Sequence, residues 1–243
     1  MVMYSVLAKL NAIKLKEVLL DTNFQPDLKN ISLEISENTK MLFLCSPNNP
    51  TGNTFTNNTM KVLIENFPGI VVIDEAYIDF SDNESWIGNL KDYKNLIVIQ
   101  TLSKAYGLAG IRVGLCYASE EIIQVLNSIK PPYNVNTGSQ LKALERLKDL
   151  ETVKLEISKV KSSREAMSKQ LNELPVIEKV YTSEANFVLV KVADSNKIYG
   201  ELIKKKIIVR NRTTQPLCEN TLRLTVGTKR ENELLIQALK ELK

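Results

Sequence analysis

The chain has 243 residues, with 32 basic and 28 acidic side chains and a formal net charge of +4. This nearly balanced charge argues against nucleic-acid binding, and the lack of any run of about 18 apolar residues argues against a membrane span. The chain contains no histidine, which excludes histidine-based catalytic triads and most transition-metal sites, so no metal is expected. Its three cysteines have no CxxC spacing, and its start lacks a secretory leader pattern, which together predict a cytoplasmic protein without disulfides.

The first half of the chain alternates short apolar runs with helical patterns. Ile70 to Asp74 and Leu96 to Gln100 are continuous apolar runs, typical of strands covered on both faces. Ser119, followed by two glutamates, is typical of a helix start. The alternation predicts an α/β fold with a mainly parallel sheet, in which ligands bind at the carboxyl ends of the strands. In chain order we predict a helix over 3–13, strands over 14–20 and 40–45, a helix over 59–67, strands over 70–74, 96–100 and 113–117, and a helix from 119 that ends before Pro131.

The composition changes after Pro132. The stretch from Leu141 to Leu174 is rich in Lys, Glu and Leu, contains neither Gly nor Pro, and predicts one long helix or two consecutive ones. A capping box, Thr228-x-x-Glu231, predicts the last helix. We therefore predict two domains: a large one over 1–135, and a connecting helix with a smaller C-terminal α/β domain over 136–243. The strands predicted for the second domain cover 176–181, 186–192, 206–209 and 221–226, with a helix between the second and the third.

Candidate functional residues follow predicted strands in three segments: 46–52 (SPNNPTG), 74–77 (DEAY) and 101–112 (TLSKAYGLAGIR). Lys104 can form an imine with the aldehyde of pyridoxal phosphate and later move the substrate proton. Asp74 can hold the pyridine nitrogen protonated, while Asn49 and Tyr77 can bind the ring oxygen. Arg112 offers a fork of donors for the phosphate dianion. The three segments together predict a pyridoxal phosphate site.

Each candidate also has an ordinary structural interpretation. A lysine after a strand is usually a solvated surface charge, Asp74 and Asn49 suit turns, and Tyr77 suits a half-buried core position. Arg223 lies inside an apolar strand, where a charge is costly unless it is paired. Its partner is either a substrate carboxylate or an unseen Asp or Glu. Arg210 ends another strand and could meet a substrate phosphate, although arginines at strand ends are often solvated.

The three segments resemble the fold-type I, pyridoxal-phosphate-dependent aminotransferases, and within them the histidinol-phosphate aminotransferases. Later segments agree, so that the likeness covers essentially the whole chain: 184–187 (EANF), 207–210 (IIVR) and 222–228 (LRLTVGT). The resemblance implies the fold-type I architecture and pyridoxal 5'-phosphate as cofactor. It also implies small-molecule substrates, with an amino group exchanged between L-histidinol phosphate and 2-oxoglutarate in histidine biosynthesis. Members of this family are usually homodimers with sites near the subunit interface.

The resemblance also assigns a role to each candidate residue. Lys104 is the imine-forming catalytic residue, Arg223 holds the substrate carboxylate, and Arg210 helps to hold the phosphate of histidinol phosphate. Asp74 pairs with the pyridine nitrogen. The other residues implied to bind the cofactor are Asn49 and Tyr77 at the ring oxygen, and Thr101, Ser103 and Arg112 at the phosphate.

Members of this family carry a substantial N-terminal portion ahead of the point where this chain starts, and we expect that portion to be missing here. It supplies an arm that closes the site, a Gly-containing turn for the cofactor phosphate, and an aromatic residue that stacks on the ring. Only Met3-Tyr4 remains of the aromatic segment, and Met1 stands where the stacking tyrosine is expected. Two hypotheses stay open: an active aminotransferase, or a catalytically silent fragment of one. Among enzymes, the alternatives are a threonine-phosphate decarboxylase and a broad aromatic aminotransferase.

Overall fold

The computed structural model describes residues 2–242 and, in the first helix, the side chains from Tyr4 onward. Met1, which was expected at the position of a stacking aromatic, lies outside the described residues. None of the helices within 2–242 is both long and apolar enough to cross a membrane. This described part of the chain forms two four-stranded sheets with eight α-helices. The helices are α1 (Val2–Leu10), α2 (Leu28–Glu34), α3 (Asn57–Asn66), α4 (Glu120–Ile129), α5 (Thr137–Leu147), α6 (Leu150–Asn172), α7 (Ser195–Lys204) and α8 (Lys229–Lys240).

The first sheet is mainly parallel, which confirms the prediction. Its strands lie in chain order; the first three are parallel and the fourth is antiparallel to the third. The apolar runs at its centre are buried, since Ile73, Leu96 and Val98 are all inaccessible to solvent. Such a strand needs side chains that suit both faces, which is why these runs do not alternate with polar residues. The strands are β1 (Met41–Cys45), β2 (Ile70–Asp74), β3 (Leu96–Thr101) and β4 (Gly114–Ala118).

The second sheet is antiparallel, with its strands in the order β5-β6-β8-β7. Its inner face packs on α6, α7 and α8 through a core that includes Leu171, Leu202 and Leu239. A smaller apolar cluster joins the two sheets and contains Tyr77, Phe80, Ala105, Ala185 and Phe187. The strands are β5 (Ile177–Val180), β6 (Phe187–Val192), β7 (Arg210–Asn211) and β8 (Thr221–Thr225).

The strand predicted over 14–20 is wrong. In the described chain only Leu20 of this stretch forms a β-bridge, with Pro26. Leu15 and Leu19 of the stretch remain accessible, 43% and 53% exposed, whereas Val18 and Leu20 pack partly against the core of the first sheet. A stretch of strand-forming residues becomes a strand only where another strand offers its edge, and none in residues 2–242 pairs with this stretch.

One strand start and one helix cap also differ from the prediction. The strand expected over 206–209 begins only at Arg210. Lys206 adopts a left-handed conformation with φ 61, and the N–H of Ile207 reaches back to the carbonyl of Leu202 at the end of α7. The residues just after α7 therefore close this helix instead of starting the strand that was expected over 206–209. Ser119 is the N-cap of α4, but its side chain accepts no hydrogen bond from the first turn of the helix.

Candidate active site

The predicted functional segments meet at one edge of the first sheet. Strands β1, β2 and β3 are parallel and end at Cys45, Asp74 and Thr101, so their carboxyl ends lie side by side. Cys45 pairs with Asp74 in the register of the sheet, and Asp74 pairs with Ile99. The turn after each strand therefore opens on the same edge, which is where parallel sheets bind ligands.

Asp74 is held by two donors, one on each carboxylate oxygen. The N–H of Ala76 donates to Oδ1 at 3.0 Å, and the hydroxyl of Tyr4 in α1 donates to Oδ2. The Tyr4 ring packs on Phe43, with 4.8 Å between ring centroids. Burial, followed by the charges of Cys45 and Asp74, raises the pKa of the Tyr4 phenol, so the phenol stays a donor. A carboxylate can accept about four hydrogen bonds, which leaves Asp74 room for a protonated ring nitrogen.

Arg223 contacts the turn after β1, although it lies 174 positions from Asn49 in the sequence. Its Nη1 donates to Asn49 Oδ1 at 2.6 Å, and Asn49 Nδ2 lies 3.4 Å from the hydroxyl of Tyr77. The guanidinium also lies 4.7 Å from the centroid of the Phe187 ring. These contacts place Asn49, Tyr77 and Arg223 in one group, as the candidate site requires.

The Arg223 guanidinium has no acidic partner among residues 2–242, because none of the ion pairs found there includes it. Its buried Nε has no hydrogen-bond partner in this part of the chain either. Burial, followed by the charge of Arg212, lowers the pKa of the Arg223 guanidinium. Within the described chain, the structural alternative of a hidden Asp or Glu is therefore wrong. A buried cation with a free donor suits an anion from outside the chain.

Lys104 lies in the turn after β3 and its side chain is exposed. Its Nζ is 5.5 Å from the centroid of the Tyr77 ring, which is also part of the Asn49 group. The turn is closed by hydrogen bonds from the N–H of Gly107 to the carbonyl of Lys104 and from the N–H of Leu108 to the carbonyl of Leu102. Gly107 has φ 70, a conformation that glycine adopts without strain. The turn thus holds the lysine at the edge that carries Tyr77.

Thr101 and Ser103 form the hydroxyl pair predicted for a phosphate. Their oxygens lie 2.9 Å apart, and the N–H of Ser103 donates to Thr101 Oγ1 at 3.1 Å. Arg112 is exposed, and its Nη1 donates to the carbonyl of Ala109 at 3.2 Å rather than to either hydroxyl. Arg210 is also exposed and lies opposite Arg223 in the β7–β8 ladder. The roles of Arg112 and Arg210 therefore stay predictions.

The turn that carries Asn49 is anchored to the second sheet. The N–H of Glu184 donates to the carbonyl of Gly52 at 2.7 Å, and Thr54 Oγ1 donates to the Glu184 carboxylate at 2.6 Å. Gly52 has φ 82, and a Cβ on it would lie 2.5 Å from Ser183 Oγ. Only glycine fits this close approach. The sequence around Glu184 and Tyr4 predicts no role for either residue, because the partners of both are distant in sequence.

The residues present fit pyridoxal phosphate. Asp74 has capacity for the ring nitrogen, Asn49 and Tyr77 can donate to the ring oxygen, and Arg223 has a free buried donor near them. When bound, this cofactor would supply an aldehyde that takes up the substrate's amino group and a ring that accepts electrons from the substrate carbon. Lys104 is the group of this chain that can bond to the cofactor and move a proton, since its amine is exposed at the same edge.

A family model described as "Aminotransferase class I and II" matches residues 2–239. The histidinol-phosphate aminotransferase of Flavobacterium johnsoniae is 59% identical over 238 residues, which cover 98% of this chain and 68% of that protein. The crystal structure of the Clostridium acetobutylicum histidinol-phosphate aminotransferase superposes with a TM-score of 0.88 at 26% identity, covering 98% of this chain and 73% of that one. The crystal structure of the Sinorhizobium meliloti enzyme of the same name, in complex with pyridoxal-5'-phosphate, gives a TM-score of 0.86 at 25% identity. The match covers 98% of this chain and 66% of that one.

Proposed function

The chain belongs to the class I and II aminotransferases, which depend on pyridoxal phosphate, and we propose that it exchanges an amino group between L-histidinol phosphate and 2-oxoglutarate. This substrate pair belongs to histidine biosynthesis. The observation that carries the proposal is the hydrogen bond from Arg223 to Asn49, which itself lies next to Tyr77. This contact places a cation without an acidic partner in the described chain beside the two residues expected at the ring oxygen. The 59% identity to a protein named for this activity supports the choice of substrate.

The proposed roles divide between cofactor and substrate. Lys104 bonds to the cofactor and moves the substrate proton, and Asp74 keeps the ring nitrogen protonated. Arg223 holds the carboxylate of glutamate or 2-oxoglutarate, and Arg210 contributes to holding the phosphate of histidinol phosphate. A buried, desolvated guanidinium suits a carboxylate because it forms two parallel hydrogen bonds with it. The remaining cofactor contacts are proposed for Asn49, Tyr77, Thr101, Ser103 and Arg112.

We propose a homodimer in the cytoplasm, with the division between the two domains at 135/136. The proposed compartment is supported by the three cysteines, which are all free thiols. The proposed division falls just before α5, in the connection between α4 and α5.

The first experiment adds pyridoxal phosphate to the purified 243-residue chain and records its visible absorption, beside the Lys104→Ala variant. We expect the chain to shift the cofactor's absorption band and the variant not to do so, because only the unsubstituted chain carries the amine that bonds to the aldehyde. Circular dichroism of both proteins controls for folding. Equal spectra from two folded proteins would contradict the role of Lys104.

The second experiment supplies L-histidinol phosphate and 2-oxoglutarate and measures glutamate. We expect glutamate to form with histidinol phosphate as donor and much less to form with aromatic amino acids. Carbon dioxide release from O-phospho-L-threonine would instead indicate a decarboxylase. A folded chain that bonds to the cofactor but produces neither glutamate nor carbon dioxide would be catalytically silent, and the proposal would be wrong for it.

A further inference from the structure

Arg212 has a buried donor that no residue of the described chain satisfies. Its Nε is inaccessible to solvent and forms no hydrogen bond, and no ion pair of residues 2–242 includes its guanidinium. A buried donor left unpaired is costly, so a guanidinium in this condition indicates a partner that comes from outside the chain. The sequence pattern around Arg212 predicts no role for this residue.

The backbone of Arg212 is fixed beside the site. Its N–H donates to the carbonyl of Thr221 in β8 at 2.9 Å, and its carbonyl accepts from the N–H of Gln215 at 2.8 Å. Arg210 lies two residues earlier on the same extended stretch, opposite Arg223 in the ladder. Residues two apart on a strand, and residues directly opposite on neighbouring strands, lie on the same face of a sheet. Arg210, Arg212 and Arg223 therefore share the face that meets Asn49.

Three guanidinium groups without a carboxylate partner among residues 2–242 create a strongly positive face. The charges of Arg212 and Arg210 both lower the pKa of Arg223, after the larger effect of its burial, so the three groups act on one another. Asn49 Oδ1 is the only hydrogen-bond acceptor that the described chain offers to these three side chains. Like charges held this close favour a ligand group with more than one negative charge, such as a phosphate ester.

We propose that Arg212 binds, together with Arg210 and Arg223, the doubly charged phosphate ester of the substrate, and so selects a phosphorylated amino donor over its free alcohol. The inference rests on the proposed function, which supplies a phosphorylated donor. It adds Arg212 as a residue that determines specificity. The backbone contacts to Thr221 and Gln215 hold the backbone of Arg212 in place before the ligand arrives.

The test is calorimetric binding of L-histidinol phosphate and of L-histidinol to the 243-residue chain incubated with pyridoxal phosphate. We compare the unsubstituted chain with Arg212→Gln, Arg212→Lys and Arg230→Gln, since Arg230 is an exposed residue of α8. The loss of one charge-assisted contact predicts about tenfold weaker binding of histidinol phosphate to Arg212→Gln, with histidinol binding unchanged. Arg212→Lys should lose less, because it keeps the charge, and Arg230→Gln should bind both compounds like the unsubstituted chain.

Several outcomes would overturn the inference. They are an unsubstituted chain that does not prefer histidinol phosphate to histidinol, an Arg212→Gln variant that keeps the preference, and a variant that weakens both compounds equally. An assay of glutamate formation from histidinol phosphate separates this inference from the proposed function. If the chain binds histidinol phosphate more tightly than histidinol through Arg212 but does not transaminate it, the proposed function fails and the role of Arg212 stands. If Arg212→Gln transaminates histidinol phosphate with an unchanged KM, the inference fails and the proposed function stands.

Discussion

Asp74 is oriented from both sides by donors of its own chain. The N–H of Ala76 is a local contact, made within the turn that follows β2, whereas the Tyr4 hydroxyl comes from α1. A carboxylate fixed in this way does not have to be reoriented when a ring nitrogen arrives. Tyr4 is thus a positioning residue, which acts on the cofactor through Asp74.

We predict that Tyr4→Phe weakens pyridoxal phosphate binding by roughly tenfold, because it removes one hydrogen bond to a charged acceptor. The phenylalanine ring keeps the packing on Phe43 and removes only the hydroxyl. A fluorescence titration with pyridoxal phosphate measures the change. Tyr133→Phe is the matched control, since Tyr133 is 94% exposed and should bind the cofactor normally. Unchanged affinity in Tyr4→Phe would show that Ala76 alone orients Asp74.

The sequence predicts which residue types the site contains, but not all of its contacts. Asn49, Asp74 and Lys104 are predictable because each follows a recognisable apolar strand, and parallel strands bring such ends together. Tyr4 lies 70 positions from Asp74, and the pattern around it indicates only a helix. The partner of Arg223 could not be chosen either, because a lone arginine in a strand is equally compatible with an internal carboxylate and an external one.

At the scale of elements, two helix starts with similar sequences behave differently. Thr228 and Glu231 form both hydrogen bonds of a capping box at α8, as predicted. Ser119 occupies the same position at α4 but accepts nothing from the helix backbone. A residue type suited to capping therefore does not guarantee the cap, because the hydroxyl must also point at the N–H groups of the first turn.

We expect Thr228→Ala to lower the free energy of unfolding by about 1 kcal/mol, the usual value of an N-cap side chain. Ser119→Ala should cost less, within about 0.5 kcal/mol, as is usual for surface substitutions that break no specific feature. Urea denaturation followed by circular dichroism compares the two variants with the unsubstituted chain. Equal losses would mean that the Ser119 hydroxyl caps α4 in solution.

The sequence best predicts the elements whose bounds do not depend on contacts with distant parts of the chain. Strands β1 to β3 are close to prediction, since a continuous apolar run has few ways to be buried. The end of α7 is not predictable, because Lys206 takes the left-handed position that glycine usually occupies. The prediction over 14–20 fails for a different reason: no strand of the described chain pairs with this stretch.

At the scale of the whole molecule, the two sheets are joined at the candidate site by polar contacts. Arg164 of α6 is buried, and its Nη1 donates to the carbonyls of Phe80 and Ala185, each at 3.0 Å. Ser81 donates to Oε2 of Glu184, and Thr54 donates to Oε1 of the same carboxylate. These contacts fix Glu184 on the first sheet next to the turn that carries Asn49. The position of the second sheet, which carries Arg223, is thereby coupled to that of the turn.

The Glu184 carboxylate makes this coupling dependent on pH. Its burial raises the pKa, but the hydrogen bonds from Ser81, Thr54, Asp82 and Asn83 together outweigh that effect and lower it below the ordinary value of 4.5. A carboxyl whose pKa is lower in the folded chain stabilises the fold above its unfolded pKa. That stabilisation is lost as the pH falls through the folded pKa.

We therefore predict that Glu184→Gln lowers the free energy of unfolding by about 1–2 kcal/mol at pH 7, from the loss of hydrogen bonds to a charged acceptor. The difference from the unsubstituted chain should shrink as the pH falls below 4.5 and through the lowered folded pKa, because protonated Glu184 then resembles glutamine. Urea denaturation at pH 7 and at a pH well below 4.5 measures it. Glu233→Gln on α8, where only a surface pair with Lys229 is lost, is the control and should change little at either pH. A loss that is the same at both pH values would assign the effect of Glu184 to packing rather than to its charge.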